Sequence, residues 1–345
     1  MKHYAGIDVS LEASSVCVVD VNGKIVRESK VASDPSALGR WLKDQGLEFE
    51  RIGLEAGPLS QWLHAGLTAA GLKAELLETR HVRTAFKTMP VKTDRTDARG
   101  IAELMRVGWF RPVWCKSLSA QETRALLSAR RLLKAQLRSV ELSLRGLLRN
   151  FGLKVGKVST KDYAARVRML AAGHAVLEAV VEAMLTVRAS LRAQIAVLHR
   201  RVLSAARASA PARLLMTAPG VGAVVALDYA SSLDDPTRFR SSRRVGAYFG
   251  LSQRRYQSGE TDRSGHISKL GDKAVRASLY EAAHVILTRV TKPSALRDWG
   301  VKLAARIGAR KAKVALARRL AVVLHHMLVD GAAFDPAKGA PVAAA

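Results

Sequence analysis

Four carboxylates stand where they could hold metal: Asp8 in the strand-like string YAGIDVS, Glu55 in the short apolar run RIGLEAG, and Asp94 and Asp97 in KTDRTDAR. Asp94 and Asp97 are three residues apart, so on a helix they share one face. Carboxylates on adjacent strands plus a helix can converge on a divalent cation. Mg²⁺ (or Mn²⁺) takes hard oxygen ligands, and two such ions can clamp the attacking and leaving oxygens of a phosphodiester. Most of these acids also have a structural reading. Asp8 at a strand end is a turn former, and D-x-x-D at a helix start resembles an N-cap with its reciprocal N3 acid. Glu55 resists such a reading, because a carboxylate inside a buried-type strand needs a partner or a metal.

The elements that must position these acids are legible around them. Residues 3–28 alternate as strands, with an Asn22-Gly23 turn that signals a hairpin. Asp34-Pro35-Ser36 opens a helix, RIGLEAG reads as a strand, LSQWLHAGLTAAG as a helix and KAELLE as a strand. A helix from Thr93 to Val107 follows, completing an α/β sheet domain over residues 1–117. From about Ser119 the pattern is helical. Leu133, Leu137, Val140, Leu144, Leu147 and Phe151 form a heptad seam. A second helix running to about Ala206 repeats the spacing, so residues 118–206 read as a helical, coiled-coil spacer that either folds back as a hairpin or pairs with a second protomer. Arg124, Arg130, Arg131, Lys134 and Arg138 lie mainly off that seam, as a solvated face or a phosphate-contacting one.

Residues 207–332 form a third, mainly helical region. Its Pro219-Gly220-Val221-Gly222 turn resembles a helix-hairpin-helix, in which Gly220 and Gly222 would let backbone N–H groups approach a phosphate; a plain helix–helix turn is the alternative. Residues 238–276 hold ten Lys/Arg against three acids, among them Arg243, Arg244, Arg254, Arg255, Arg263, Lys269 and Lys273. A basic helix is expected from Lys302 to Val329, then an Ala/Pro-rich disordered tail over 333–345.

Charge narrows the partner. The chain of 345 residues carries 56 Lys+Arg against 29 Asp+Glu, a net of +27. Residues 1–110 hold 15 basic and 14 acidic side chains, whereas residues 111–345 hold 41 and 15. A near-neutral front joined to a strongly basic body points to a polyanion, nucleic acid before membrane. Cys17 and Cys115 are too few for a disulfide framework or a cysteine zinc site. The N-terminus lacks an apolar signal core and no run of 18 apolar residues occurs, so a cytoplasmic, nucleoid-associated prokaryotic protein is expected. His3, His64 and His174 are scattered and read as structural, and the His325-His326 pair is too isolated for a metal site.

The strings YAGIDVS, LEAG, KTDRTDAR, the PGVG turn, VGAYFGL and SGETDRSGHISKLGDKAVR, in this order, resemble transposases of the insertion-sequence-110 family, relatives of the Piv-type DNA invertases. The resemblance spans nearly the whole chain. It implies an RNase H-like front domain similar to the RuvC resolvase, with Asp8, Glu55, Asp94 and Asp97 in the places of an Asp-Glu-Asp-Asp metal site. It also implies a serine nucleophile in the C-terminal domain, and Ser258 is the matching position. Arg254, Arg255 or Arg263 would steady the phosphate, and the nearest histidine is His266. Read from the residues alone, Ser258 beside Gly259 is a turn residue, and chemistry does not separate it from Ser252, Ser264, Ser268 or Tyr256.

The resemblance further implies recombination of donor and target DNA guided by a structured non-coding (bridge) RNA, in a homodimer or homotetramer. Two rival readings remain at this level. One is a junction nuclease that uses water; the other is a non-enzymatic nucleic-acid scaffold.

Overall fold

The computed structural model describes residues 1–88 and 92–337. Contacts divide the chain into two compact units, Met1–Lys116 and Ser117–Ala345.

The first unit is built on one mixed sheet. Its strands are β1 (Lys2–Asp8), β2 (Ala13–Val19), β3 (Ile25–Ala32), β4 (Glu48–Glu55) and β5 (Ala74–Leu77), in the order β3-β2-β1-β4-β5. The first three are antiparallel, while β4 runs parallel to β1 and β5 parallel to β4. Gly23, at φ +82°, makes the turn between β2 and β3 that Asn-Gly announces. Period-two alternation sends Ala5, Ile7, Ile52, Leu54 and Leu76 to one face, which buries Leu38 and Leu42 of α1 (Pro35–Asp44) and Leu63 and Leu67 of α2 (Ser60–Ala69). Asp34 starts α1 by accepting the N–H groups of Ser36 and Ala37. After α3 (Thr79–Ala85) and a 3-10 turn at Phe86–Thr88, α4 (Asp94–Val107) covers the opposite face.

The second unit is largely helical. α5 (Leu118–Asn150) and α7 (Ala175–Ala208) pair within the chain, α6 (Tyr163–Ala171) packing beside them. Leu144 and Leu148 meet Val181 and Leu185, while Leu127 joins Val202 and Ala206, so the two helices run antiparallel. The seam departs from the expected heptads at one end. Leu148 is buried, whereas Leu147 and Phe151 are exposed. A straight helix drifts against a strict seven-residue repeat, so the fourth residue after Leu144, not the third, reaches the partner.

The remaining core is assembled from α8 (Ala210–Leu215), α9 (Ala223–Leu233), α10 (Arg243–Tyr248), α11 (Lys273–Thr288), α12 (Ala295–Ile307) and α13 (Ala309–Asp330) around the buried stripe Leu316, Ala317, Leu320, Ala321 and Leu324. One local expectation is corrected, and one element is added. The basic helix expected over Lys302 to Val329 is two helices, broken at Gly308 with φ +82°. Between α10 and α11 stands a two-stranded hairpin, β6 (Gln253–Ser258) and β7 (Thr261–Ile267), whose polar strands lack the apolar alternation that signals strands. Of the Ala/Pro-rich tail, Phe334 donates its N–H to Thr217 Oγ1 and Pro336 accepts from the Ala295 N–H. Residues 338–345 of that tail lie outside the described residues. Among the described residues no helix is long and apolar enough to cross a membrane.

Candidate active site

Strand alternation and two glycines bring the four carboxylates within electrostatic reach of one another. Gly6 and Asp8 share one face of β1, and Gly53 and Glu55 share one face of β4. The parallel register pairs Gly6 with Gly53 and Ile7 with Leu54, so Asp8 and Glu55 end adjacent strands side by side. α4 rests directly on the two glycines. A Cβ at Gly6 would stand 2.2 Å from the Ala98 carbonyl oxygen, and one at Gly53 2.7 Å from the Met105 sulfur. Only hydrogen at these positions lets the helix lie against the strands.

The start of α4 then carries Asp94 and Asp97. Its N-cap is Thr93, whose hydroxyl accepts the Thr96 N–H while Thr96 Oγ1 accepts the Thr93 N–H. Asp94 is therefore not the cap suggested by D-x-x-D. A threonine pair satisfies the orphan N–H groups, leaving both acids free of capping duty.

The acids repel one another. Burial, then Asp97, Asp94 and Glu55, push the Asp8 carboxyl up to about 6 against a smaller opposing pull from Lys92. Burial and Asp97 likewise raise Glu55, opposed by Arg83, Lys92 and a hydrogen bond from Thr79. Asp94 is more exposed, with Lys30 Nζ 3.9 Å from its carboxylate. Among the described residues no three His, Cys, Asp or Glu side chains stand close enough as placed to hold a metal ion. The donors nonetheless suit a hard cation in kind. They are all carboxylate oxygens, and Asp8 and Glu55 are held half-buried at a mutual electrostatic cost that a divalent ion would remove.

The sequence reading missed Gly6 and Gly53 as site-forming residues. Their signal is present: each stands two residues before an acid in an apolar run, as AGID and IGLE.

Ser258 ends β6 at the tip of the hairpin, opposite Thr261. Gly259 takes φ +55° in the two-residue turn, as the first central position of such a tight connection requires. Alternation sorts the neighbouring side chains. Tyr256 and Arg254 share the face of Ser258, with Arg263 directly across from Tyr256. His266 falls where the register shifts, and Arg255 and Ser264 lie on the other face. There Arg255 donates to both oxygens of Asp262 at 2.8 and 2.6 Å. Of the three arginines expected to steady a phosphate, Arg254 and Arg263 are thus on the serine's side and Arg255 is not. Every residue of β6 is exposed.

The other basic positions divide between solvent and structure. Arg243, Arg244, Lys269 and Lys273 are exposed. Arg124 and Arg131 of α5, by contrast, are internal staples. Arg124 pairs with Asp272 at 2.8 Å, and Arg131 with the buried Asp228 at 2.7 Å, where Ser278 also donates. Gly220, at φ +73°, spends its close approach on the protein itself: a Cβ there would meet the Ala282 carbonyl oxygen at 2.7 Å. Gly222 has open space around it and precedes α9. His325 is structural, with Nδ1 against Ser242 Oγ and Nε2 against the Pro236 carbonyl.

A mixed sheet of order β3-β2-β1-β4-β5, with acids ending the adjacent strands β1 and β4 and others on the covering helix, makes an α/β domain, here followed by a mostly helical unit. Comparison with known proteins gives the family. The model for the transposase IS116/IS110/IS902 family matches residues 212–299, and the transposase model DEDD_Tnp_IS110 matches residues 5–152. The transposase for insertion sequence element IS1111A of Coxiella burnetii is 27% identical over 333 residues, 94% of this chain and 88% of that one. A probable family 20 transposase of Pseudomonas aeruginosa is 30% identical over 253 residues, 71% of this chain and 74% of that protein. Thermus thermophilus RuvC in complex with a Holliday junction substrate aligns at TM-score 0.25 and 16% identity, covering 33% of this chain and all of RuvC. The chain belongs to the IS110 family of insertion-sequence transposases.

Proposed function

We propose that this transposase cuts and rejoins donor and target DNA through a covalent Ser258–DNA phosphodiester, with Mg²⁺ or Mn²⁺ bound by Asp8, Glu55, Asp94 and Asp97. The observation that carries this reading is the carboxylate set gathered by α4 on Gly6 and Gly53, with Asp8 raised to about 6 by its neighbours. Bound there, the cation supplies positive charge to phosphoryl oxygens. The hairpin supports the serine role. Its tip offers an exposed hydroxyl on the strand face that also carries Arg263 and, nearer the base, Arg254, whose charges suit the phosphate oxygens of a strand lying along that face.

In the first step Ser258 Oγ bonds to phosphorus, the P–O bond to the departing strand breaks, and the serine proton is lost as the leaving oxygen gains one. Rejoining reverses the exchange with the hydroxyl of a new strand. One phosphodiester replaces another, so no nucleotide triphosphate is consumed.

A structured guide RNA chooses donor and target. The strongly basic residues 111–345, with 41 basic against 15 acidic side chains, suit two polyanions at once, and base pairing would supply sequence readout that the protein need not. Cutting two DNA partners calls for a dimer or tetramer.

Denaturing gels after incubation with DNA test the serine. Wild type forms a protein–DNA adduct and Ser258→Ala does not; recombination by the alanine variant would overturn the serine mechanism in favour of water. Asp8→Asn should abolish cutting while DNA binding persists, whereas a scaffold without catalysis predicts unchanged activity in cells. Sequencing the RNA that copurifies and matching it to donor and target sites tests the guide.

A further inference from the structure

At the base of the β6–β7 hairpin the second unit holds an open pocket of about 320 Å³. Its floor is apolar, made by Leu251, Ile267, Val314 and Ala317. Lys269, Lys273, Arg276 and Tyr280 also line it, and no acidic residue does. Two carboxylates neighbour the lining residues in sequence: Glu281, exposed on α11 next to Tyr280, and Asp272, which caps α11 through the N–H groups of Ala274 and Val275 and pairs with Arg124.

The framework around the pocket is rigid. Lys269 is held at φ +56°, a left-handed conformation costly for a side chain with a Cβ, and its N–H is tied to the Gly250 carbonyl. A Cβ on Gly271 would fall 2.1 Å from the Tyr248 carbonyl, so the segment bearing Lys269 is locked against α10. Arg276 is anchored through its donation to the Phe249 carbonyl at 3.0 Å. The aromatic ring of Tyr280, 36% exposed, has Lys313 Nζ 5.9 Å from its centre.

We infer that this pocket receives one unstacked base of the DNA strand that the hairpin engages. An apolar floor with a tyrosine ring suits the faces of a base, and the exposed ammonium groups of Lys269 and Lys273 suit the phosphates on either side. The size suits a single nucleoside, at the lower end of ordinary small-ligand pockets. Position agrees. Leu251 and Ile267 flank the start of β6 and the end of β7, so the strand length from pocket to Ser258 is about 17 Å at ~3.3 Å per residue. A strand crossing the serine therefore continues over the pocket a few nucleotides away. The inference rests on the reading that the hairpin works on DNA.

The test uses the full chain and fluorescein-labelled DNA, single-stranded and fully paired. Tyr280→Ala should weaken single-strand binding roughly tenfold with duplex binding unchanged, because stacking requires a free base. It should leave the salt dependence unaltered. Lys269→Gln and Lys273→Gln should instead lower the salt slope by about one each on either DNA. In wild type, a single strand carrying 5-iododeoxyuridine should photocrosslink to the peptide containing Tyr280, which needs no variant to fold.

Equal single-strand binding by wild type and Tyr280→Ala, or crosslinks that avoid that peptide, would overturn the pocket while leaving the DNA reading intact. Failure of wild type to bind either DNA would instead sink the wider reading.

Discussion

Asp8 links the site's electrostatics to stability. Its carboxyl is raised to about 6 in the folded state from an ordinary value of 3.8. Folding therefore favours the protonated acid. In the metal-free protein, the contribution of Asp8 to stability is greatest below pH ~4, falls as pH rises through the folded value, and stays lowered at neutrality. Asp8→Asn removes the charge while keeping the shape. Allowing for screening of a half-buried group, it should raise the metal-free unfolding free energy at pH 7 by about 1 kcal/mol while abolishing DNA cutting. Thermal melts with and without Mg²⁺ check this, since added metal should stabilise wild type more than the asparagine variant. Asp8 and Glu55 were legible as candidates because acids inside apolar runs are conspicuous. Their mutual repulsion was not, since it depends on how closely α4 approaches the sheet. His325 behaves oppositely. Burial lowers its pKa, so the second unit should lose stability as pH drops below about 6.5, measurable by denaturant titration at several pH values.

At the scale of elements, α4 and its two glycine seats are the device that assembles the site. Gly6→Ala would press a methyl against backbone atoms of Ala98 and Ala102, which cannot move without the helix. Gly53→Ala meets chiefly the flexible Met105 side chain. The costs should separate within the ~1–3 kcal/mol of overpacking, Gly6→Ala at the top and Gly53→Ala near the bottom. Gly6→Ala should also cut activity with every carboxylate intact. Chemical denaturation paired with a cleavage assay tests both.

In the second unit, α5 is fastened by arginines that the sequence offered as a phosphate face. Arg131→Ala leaves Asp228 buried with Ser278 as its remaining side-chain partner and should destabilise by about 3 kcal/mol. A basic residue off a heptad seam has the same appearance in sequence whether it meets solvent, phosphate or a buried acid. Only the folded neighbours decide among them. The β6–β7 hairpin escaped notice for a related reason: its strands are polar on both faces and held mainly by backbone pairing.

Across the whole molecule, charge is unevenly divided. Residues 1–110 nearly balance, and residues 111–345 carry the excess. If phosphate contact dominates affinity, DNA binding should fall at least ~10³-fold over a fourfold rise in salt, with a log–log slope set by the number of phosphates engaged. Fluorescence anisotropy across a salt series measures it, and a flat response would contradict phosphate-led binding. Neutralising the exposed Arg243 and Arg244 together should reduce that slope, whereas replacing Arg124 should act mainly on folding because it is spent on Asp272.

The sequence by itself determined the strand and helix order of the first unit, the antiparallel-capable helices of the second, the charge division and the ordered motifs of the family. These follow from periodicity, turn chemistry and composition, all local to the chain or summed over it. The tertiary structure decided the rest. It set Asp8, Glu55, Asp94 and Asp97 within electrostatic reach of one another, assigned Gly6, Gly53 and Gly220 to packing, split the hairpin arginines between two faces and paired Arg124 and Arg131 with acids distant in sequence. Each of these depends on which surfaces meet across long chain separations, and side-chain chemistry is ambiguous until its neighbours are fixed.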